Sequence, residues 1–240
     1  SRSGARLTRA GERLIPYATR VEALLDEASR AARDDGAPRG TLTIGSLETT
    51  AALRLSPLLA SYARAHPRVD LVLKTGMTAE MVEQVLDREV EGAFVCGPVV
   101  HPQLVTVPTF VEELALLTAP DEASLATALR RPDLRLVILR AGCSYRQRLE
   151  EVLARRGVVG LRRLEFGTLE AILGAVAAGL GITLMPRGLI GPVWRGTKVK
   201  AHRLPPGEAR VQTVFIRRHD ILPSSALLAF QKHVTRRGSM

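Results

Sequence analysis

Cysteine, lysine and aromatic residues are all scarce in this 240-residue chain. Two cysteines, Cys96 and Cys143, are too few for a disulfide scaffold and lack zinc-site spacing. Aromatics make up 4% of residues, and no basic block interleaves with them as in single-strand-binding surfaces. No run approaches the roughly 18 uncharged apolar residues of a membrane span. The opening SRSGARLTRAGERL lacks the apolar core of a secretory signal. A reducing, cytoplasmic location is the expectation. The chain opens on Ser1 rather than Met, as a processed chain or a fragment would. No nucleophile elbow, P-loop, dinucleotide-binding glycine motif or H-E-x-x-H is present. The five histidines, His66, His101, His202, His219 and His233, fall in unrelated segments. No metal, no cofactor and no enzymatic activity is therefore expected. A reactive Cys143, activated by a helix N-terminus, is a further alternative, and a switching disulfide between Cys96 and Cys143 ranks below it.

What is present is ordinary in bulk, with 46% hydrophobic and 24% charged residues, so a folded chain of one or two domains is expected. The net charge of +10 rests on thirty arginines and only Lys74, Lys198, Lys200 and Lys232. These arginines are spread along the whole chain, so the charge does not by itself mark a nucleic-acid face.

The most regular segment comes first. Leu7, Ala10, Leu14, Tyr17, Val21, Leu24, Ala28 and Ala31 alternate at spacings of three and four. That heptad predicts a helix over 8–33 whose narrow apolar seam packs on a partner helix. Thr8 is its expected cap, Pro16 an expected bend, and Gly36 with Pro38 its end. The remaining positions are rich in charge, such as Glu12, Arg13, Arg20, Glu22, Glu27 and Arg33.

Beyond it, strands and helices alternate. Strands are expected at 41–47, 69–76, 91–97, 134–139, 161–166 and 181–186. Helices are expected at 50–65, 78–88, 121–129, 144–156, 168–178 and 223–236. Two long extended runs, 104–119 and 210–218, interrupt the pattern, and 187–209 is less regular. The alternation predicts parallel sheets covered by helices. Two Rossmann-like α/β lobes joined by two extended crossings give a cleft where strand ends and helix N-termini converge. Three strand-to-helix turns meet there: Ser46–Thr50, Gly142–Arg146, and Gly167 with Thr168. Each offers free backbone N–H groups and a hydroxyl, which suits a small anion. Arg146 is the nearby cation that could neutralise a carboxylate. Glu48 and Glu170 lie close by, with nothing to mark them as an acid–base pair.

Three motifs resemble the LysR-type family of bacterial transcriptional regulators. Arg6-Leu7-Thr8-Arg9-Ala10-Gly11-Glu12 is similar to the segment where the family's winged helix-turn-helix ends and its linker helix begins. Gly40-Thr41-Leu42-Thr43-Ile44-Gly45 is similar to the entry into the effector domain. Val176 to Pro186, VAAGLGITLMP, is similar to the V-x-x-G-x-G-I-x-x-x-P segment of the second lobe. The resemblance implies a wing remnant at 1–7, a dimerisation helix at 8–38 and a periplasmic-binding-protein-like effector domain at 39–240. Its lobe I would be about 39–113 and 218–240, and its lobe II about 114–217. It implies seam contacts through Leu14, Tyr17, Val21, Leu24 and Ala28, in a homodimer or homotetramer. It implies effector contacts from Ser46, Thr49, Thr50, Val99, Val100, Ser144, Tyr145, Arg146, Gly167 and Thr168. DNA would be read by a winged domain that this chain does not contain, since only seven residues precede Thr8. The competing expectation is a transporter's solute-binding protein, which shares the two-lobed fold but leaves the heptad helix unexplained.

Overall fold

The computed structural model describes residues 6–191, 196 and 198–238. Residues 1–5 of the expected wing remnant, and 192–195 and 197 of the irregular stretch, lie outside the described residues.

Helix α1 runs Arg9–Arg33, with the Thr8 hydroxyl accepting the Gly11 N–H and Pro16 lying inside it. Its seam is not buried by the rest of the chain: Leu14 is 63% exposed and Val21 57%, and Tyr17 and Leu24 are exposed beside them. The helix meets the following domain through another face. Glu27 pairs with Arg88, and just past the helix Asp34 accepts the Ser225 N–H at 2.6 Å.

Strand β1 (Gly40–Leu47) leads into a continuous helical run. It comprises a short α2 (Glu48–Thr50), a π-helical turn (Ala51–Leu55) and α3 (Ser56–Ala65). Then come β2 (Val69–Gly76), α4 (Thr78–Leu86) and β3 (Gly92–Cys96). β1 pairs parallel with both β2 and β3. From these strands Leu42, Ile44 and Phe94 are buried in one cluster with Tyr62 and Phe230. Gly45 lets α4 lie flat on the sheet, because a Cβ there would sit 2.8 Å from the Met81 sulfur.

The long β4 (Leu104–Thr118) joins the lobes. Its first part pairs antiparallel with β9 (Arg210–Arg218), and its last part with β7 (Thr183–Pro186) and β8 (Lys200–Arg203). The expectation of purely parallel sheets is thus corrected to mixed ones. A chain that crosses out on one strand and returns on its neighbour must run the two antiparallel. The strand order is β2-β1-β3-β9-β4-β7, with β8 also on β4. Val214 and Phe215 pack in the first lobe's cores, so β9 joins that lobe earlier than a boundary at 217–218 puts it.

The second lobe holds α5 (Leu125–Leu129), β5 (Arg135–Leu139), α6 (Ser144–Ala154), β6 (Arg162–Phe166) and α7 (Leu169–Ala177). The short α8 (Pro206–Ala209) precedes β9, and α9 (Ser225–Gly238) returns to the first lobe. β5 and β6 are parallel, and a bridge from Leu136 to Ile182 ties β5 to the start of β7. Two glycines of the VAAGLGITLMP segment have separate tasks. Gly179 takes φ +78° past the end of α7, where the Leu180 N–H reaches the Ala175 carbonyl and the Gly179 N–H the Val176 carbonyl. That is the double bond of a Schellman end. Gly181 lies so near β5 that a Cβ would come 2.3 Å from the Arg135 carbonyl oxygen.

Candidate functional site

Four strand-to-helix turns meet between the lobes: β1 to α2 and β2 to α4 from the first, β5 to α6 and β6 to α7 from the second. Leu47, Glu48, Thr49, Gly76 and Met77 line one wall, and Leu139, Cys143, Ser144, Tyr145 and Leu169 the other. The lobes are nearly shut, since the free space is about 20 Å³, room for roughly one water. Thr49 and Tyr145 share a hydrogen bond of 3.3 Å across the cleft. Ser144 Oγ donates to Thr78 Oγ1 at 2.9 Å, and Arg140 pairs with Glu80 at 3.0 Å.

Of the residues expected to contact an effector, Thr49, Ser144 and Tyr145 therefore come together directly. Ser46 is fully buried and bonds the Leu47 carbonyl. Thr50 is 1% exposed, and its Oγ1 has no partner among the described residues. Thr168 spends its hydroxyl on the Ala171 N–H as the cap of α7, beside an exposed Gly167. The hinge pair does not line the cavity: Val100 is 96% exposed, and Val99 packs beside the Met81 cluster. Gly76, Met77 and Thr78 were absent from the expected set. The rule that found the other turns, a strand ending at a helix N-terminus, applies to them equally.

Electrostatics modify two expectations. Arg146 is already held by Glu165 at 2.9 Å and Glu150 at 3.9 Å, both in the second lobe. Burial pushes the Cys143 thiol up, outweighing the helix N–H groups and Arg146 that favour its anion. Cys96 is pushed up to about 11, again by burial first. Neither is a ready thiolate. Burial also lifts the Tyr145 phenol well above its ordinary range, keeping it a neutral hydrogen-bonding group. Glu48 is raised by burial and, next, by the charge of Glu170 on the opposite lobe. Among the described residues no three His, Cys, Asp or Glu side chains gather as a metal site. The cleft wall combines hydroxyls, helix N-termini and the Glu48 carboxylate with apolar side chains.

The model of the LysR substrate binding domain matches residues 35–239. The HTH-type transcriptional regulator GltR of Bacillus subtilis (strain 168) is 39% identical over 231 residues, which are 96% of this chain and 78% of GltR. The regulator YofA of the same organism is 40% identical over 95% of this chain and 78% of its own length. Among solved structures, the LysR family transcriptional regulator CbnR aligns with a TM-score of 0.70 at 21% identity, over 98% of this chain and 82% of its own. No described helix is long and apolar enough to cross a membrane. The chain belongs to the LysR family of transcriptional regulators, as the part that senses a small effector and not as a transporter's solute-binding protein.

Proposed function

We propose that the effector is a small metabolite carrying a carboxylate, bound between the lobes by Ser46, Thr49, Thr50, Ser144 and Tyr145. The observation that carries this reading is the pair of hydroxyl contacts spanning the cleft, Thr49 with Tyr145 and Ser144 with Thr78. They mark the surfaces that part to admit a ligand. The α6 N-terminus is the seat for the carboxylate. It is the one of the three expected turns whose helix has no acidic residue in its first turn, whereas α2 carries Glu48 and α7 carries Glu170. An acidic residue there already satisfies the helix dipole.

The chain turns over no substrate in this reading; it works in the cytoplasm by shifting between open and shut lobes. The uncovered seam of α1, Leu14, Tyr17, Val21, Leu24 and Ala28, pairs with the same seam of a second copy. DNA contact belongs to a winged helix-turn-helix preceding Thr8. A ligand that binds only the shut state stabilises it by about 2.7 kcal/mol at a hundred times its dissociation constant. Thermal unfolding against a library of small carboxylates is the test. Hits should lose affinity in Ser144→Ala and Tyr145→Phe. Hits indifferent to both place the ligand elsewhere.

A further inference from the structure

Helix α4 meets the second lobe at its first turn and α1 just past its last. At the first turn, Thr78 Oγ1 accepts the Ser144 hydroxyl at 2.9 Å, and Glu80 pairs with Arg140 at 3.0 Å. Gly142, between those two partners in sequence, packs on the same turn. A Cβ there would lie 3.5 Å from the Met77 Cβ and 3.6 Å from that of Ala79. The Glu80 carboxylate also accepts the Met77 N–H at 2.8 Å, so the cap of α4 and an ion pair across the cleft share one side chain. At the other end, the Glu89 N–H reaches the Gln84 carbonyl and the Arg88 N–H the Val85 carbonyl. That is a Schellman end with Arg88 in the left-handed position. Arg88 takes φ +66°, the only described residue other than glycine with a positive φ. Glycine suits that backbone best, so an arginine here goes against local preference. Its guanidinium pairs with Glu27 of α1 and lies 3.6 Å from Asp220. Asp220 is held at 2.6 Å by the buried Arg218, which donates to the last carbonyl of α4, Leu86, at 2.7 Å. Among the described residues Glu27–Arg88 is the one ion pair between α1 and the domain.

We propose that α4 is a sliding linkage between the cleft and α1: the second lobe sets its first turn, and Arg88 carries that setting to Glu27. The inference rests on the cleft being the effector site. A ligand that parts or replaces the Ser144–Thr78 and Arg140–Glu80 contacts repositions the first turn. α4 has nine residues, about 13 Å of helix, and is closed at both ends, so it moves as one piece. Beneath it the sheet is bare, because a Cβ on Gly45 or on Gly76 would lie 2.8 Å from the Met81 side chain. The thioether is flexible and the glycines raise no ridge, so a small slide keeps that contact. Leu86 and Arg88 move with the helix, and the seat of α1 changes with them. Such coupling is reciprocal. Loosening α1 from Arg88 must therefore loosen the first turn of α4.

The test is amide hydrogen exchange on the chain as it stands, without ligand, read at Met77 and Met81, whose N–H groups bond within the first turn of α4. Glu27→Gln removes the pair from the α1 side. Arg88→Gly removes it from the other side and supplies the residue that the left-handed position favours. Each should speed exchange at Met77 and Met81 about threefold or more, with exchange in β1 and β3 unchanged. Glu22 is an exposed α1 carboxylate with no ion pair among the described residues, so Glu22→Gln is the control and should change nothing. With the cleft end already freed by Arg140→Gln and Ser144→Ala together, Glu27→Gln should add nothing further, since both act through one helix. Unchanged exchange at Met77 and Met81 in Glu27→Gln, or in Arg88→Gly, overturns the linkage. A rise shared by Glu22→Gln, or spread evenly over the domain, overturns it too, as does a Glu27→Gln effect that adds in full to the cleft variant's. No ligand enters this experiment, so its failure leaves the cleft reading standing. Carboxylate hits indifferent to Ser144→Ala and Tyr145→Phe sink the cleft reading and leave the exchange result untouched.

Discussion

The hydroxyls of Thr49 and Tyr145, ninety-six residues apart in sequence, lie 3.3 Å from each other and hold the two lobes together. Both side chains are buried, so water does not compete for the bond. Replacing Tyr145 with Phe keeps the ring in the second lobe's core and removes only the bridge. A net hydrogen bond contributes about 1 kcal/mol, so the unfolding temperature of Tyr145→Phe should fall by roughly 2–4 °C. The cleft should also open more readily, read as a larger radius of gyration in solution scattering. An unchanged melting point and radius would show that the bridge does not hold the lobes.

The Glu48 carboxyl responds to pH with a definite sign. Burial and the Glu170 charge raise it in the folded chain above its ordinary value. Its stabilising share is therefore fully present below the unfolded-state value and disappears as pH rises through the folded-state value. Glutamine at position 48 does not titrate and escapes that loss. The melting temperature of Glu48→Gln minus that of the parent should grow as pH rises from about 4 to 7. Added salt should shrink the part owed to Glu170. A difference constant with pH would mean the carboxylate is not perturbed where it sits.

Much of this architecture was legible because the helix and strand periods differ so plainly. The expected strand at 69–76 and the extended run at 210–218 coincide with β2 and β9, and the heptad from Leu7 to Ala31 with α1. The direction of β9 was not legible, because alternation of strands and helices says nothing about a strand that returns through the middle of a sheet. The hydroxyl turns were legible because each lies where an expected strand ends at the N-terminus of an expected helix, the place where Ser and Thr also serve as caps. Thr78 was missed although its turn obeys the same rule. The engagement of Arg146 by Glu165 could not be foreseen: those residues lie nineteen apart and meet only once β6 stands beside the start of α6.

Gly181 is fixed by contact and not by its backbone angle. A Cβ at that position would lie 2.3 Å from the Arg135 carbonyl oxygen and 2.9 Å from its carbon. Those are backbone atoms of β5, bonded to Ile182 through the Ile182 N–H at 3.0 Å, and they cannot swing aside. Gly181→Ala should push β7 off β5 and cost about 1–3 kcal/mol or more, as overpacking does. Gly174→Ala, where a Cβ meets nothing within 4 Å, is the control and should be neutral or stabilising as a helix-interior glycine replaced by alanine. Equal melting points for the two variants would refute the close-approach argument.

The α1 seam makes the strongest demand on a partner. Leu14, Tyr17, Val21 and Leu24 lie exposed along a 25-residue helix, which is about 37 Å long at 1.5 Å per residue. The helix spends a different face on its own domain, where Glu27 meets Arg88, so pairing of the seam requires no rearrangement of that contact. Aspartate at both Val21 and Leu24 would place two charges in a pairing seam, at a cost of several kcal/mol. The double variant should fall to monomer at micromolar concentration in light scattering, while its thermal unfolding at matched monomer content stays close to the parent's. Glu27→Gln is the complementary change. It should leave association intact, since Glu27 faces the domain, and loosen the seat of α1 on Arg88. An oligomer that survives Val21→Asp with Leu24→Asp, or one that dissolves in Glu27→Gln, would show that the copies associate through some other surface.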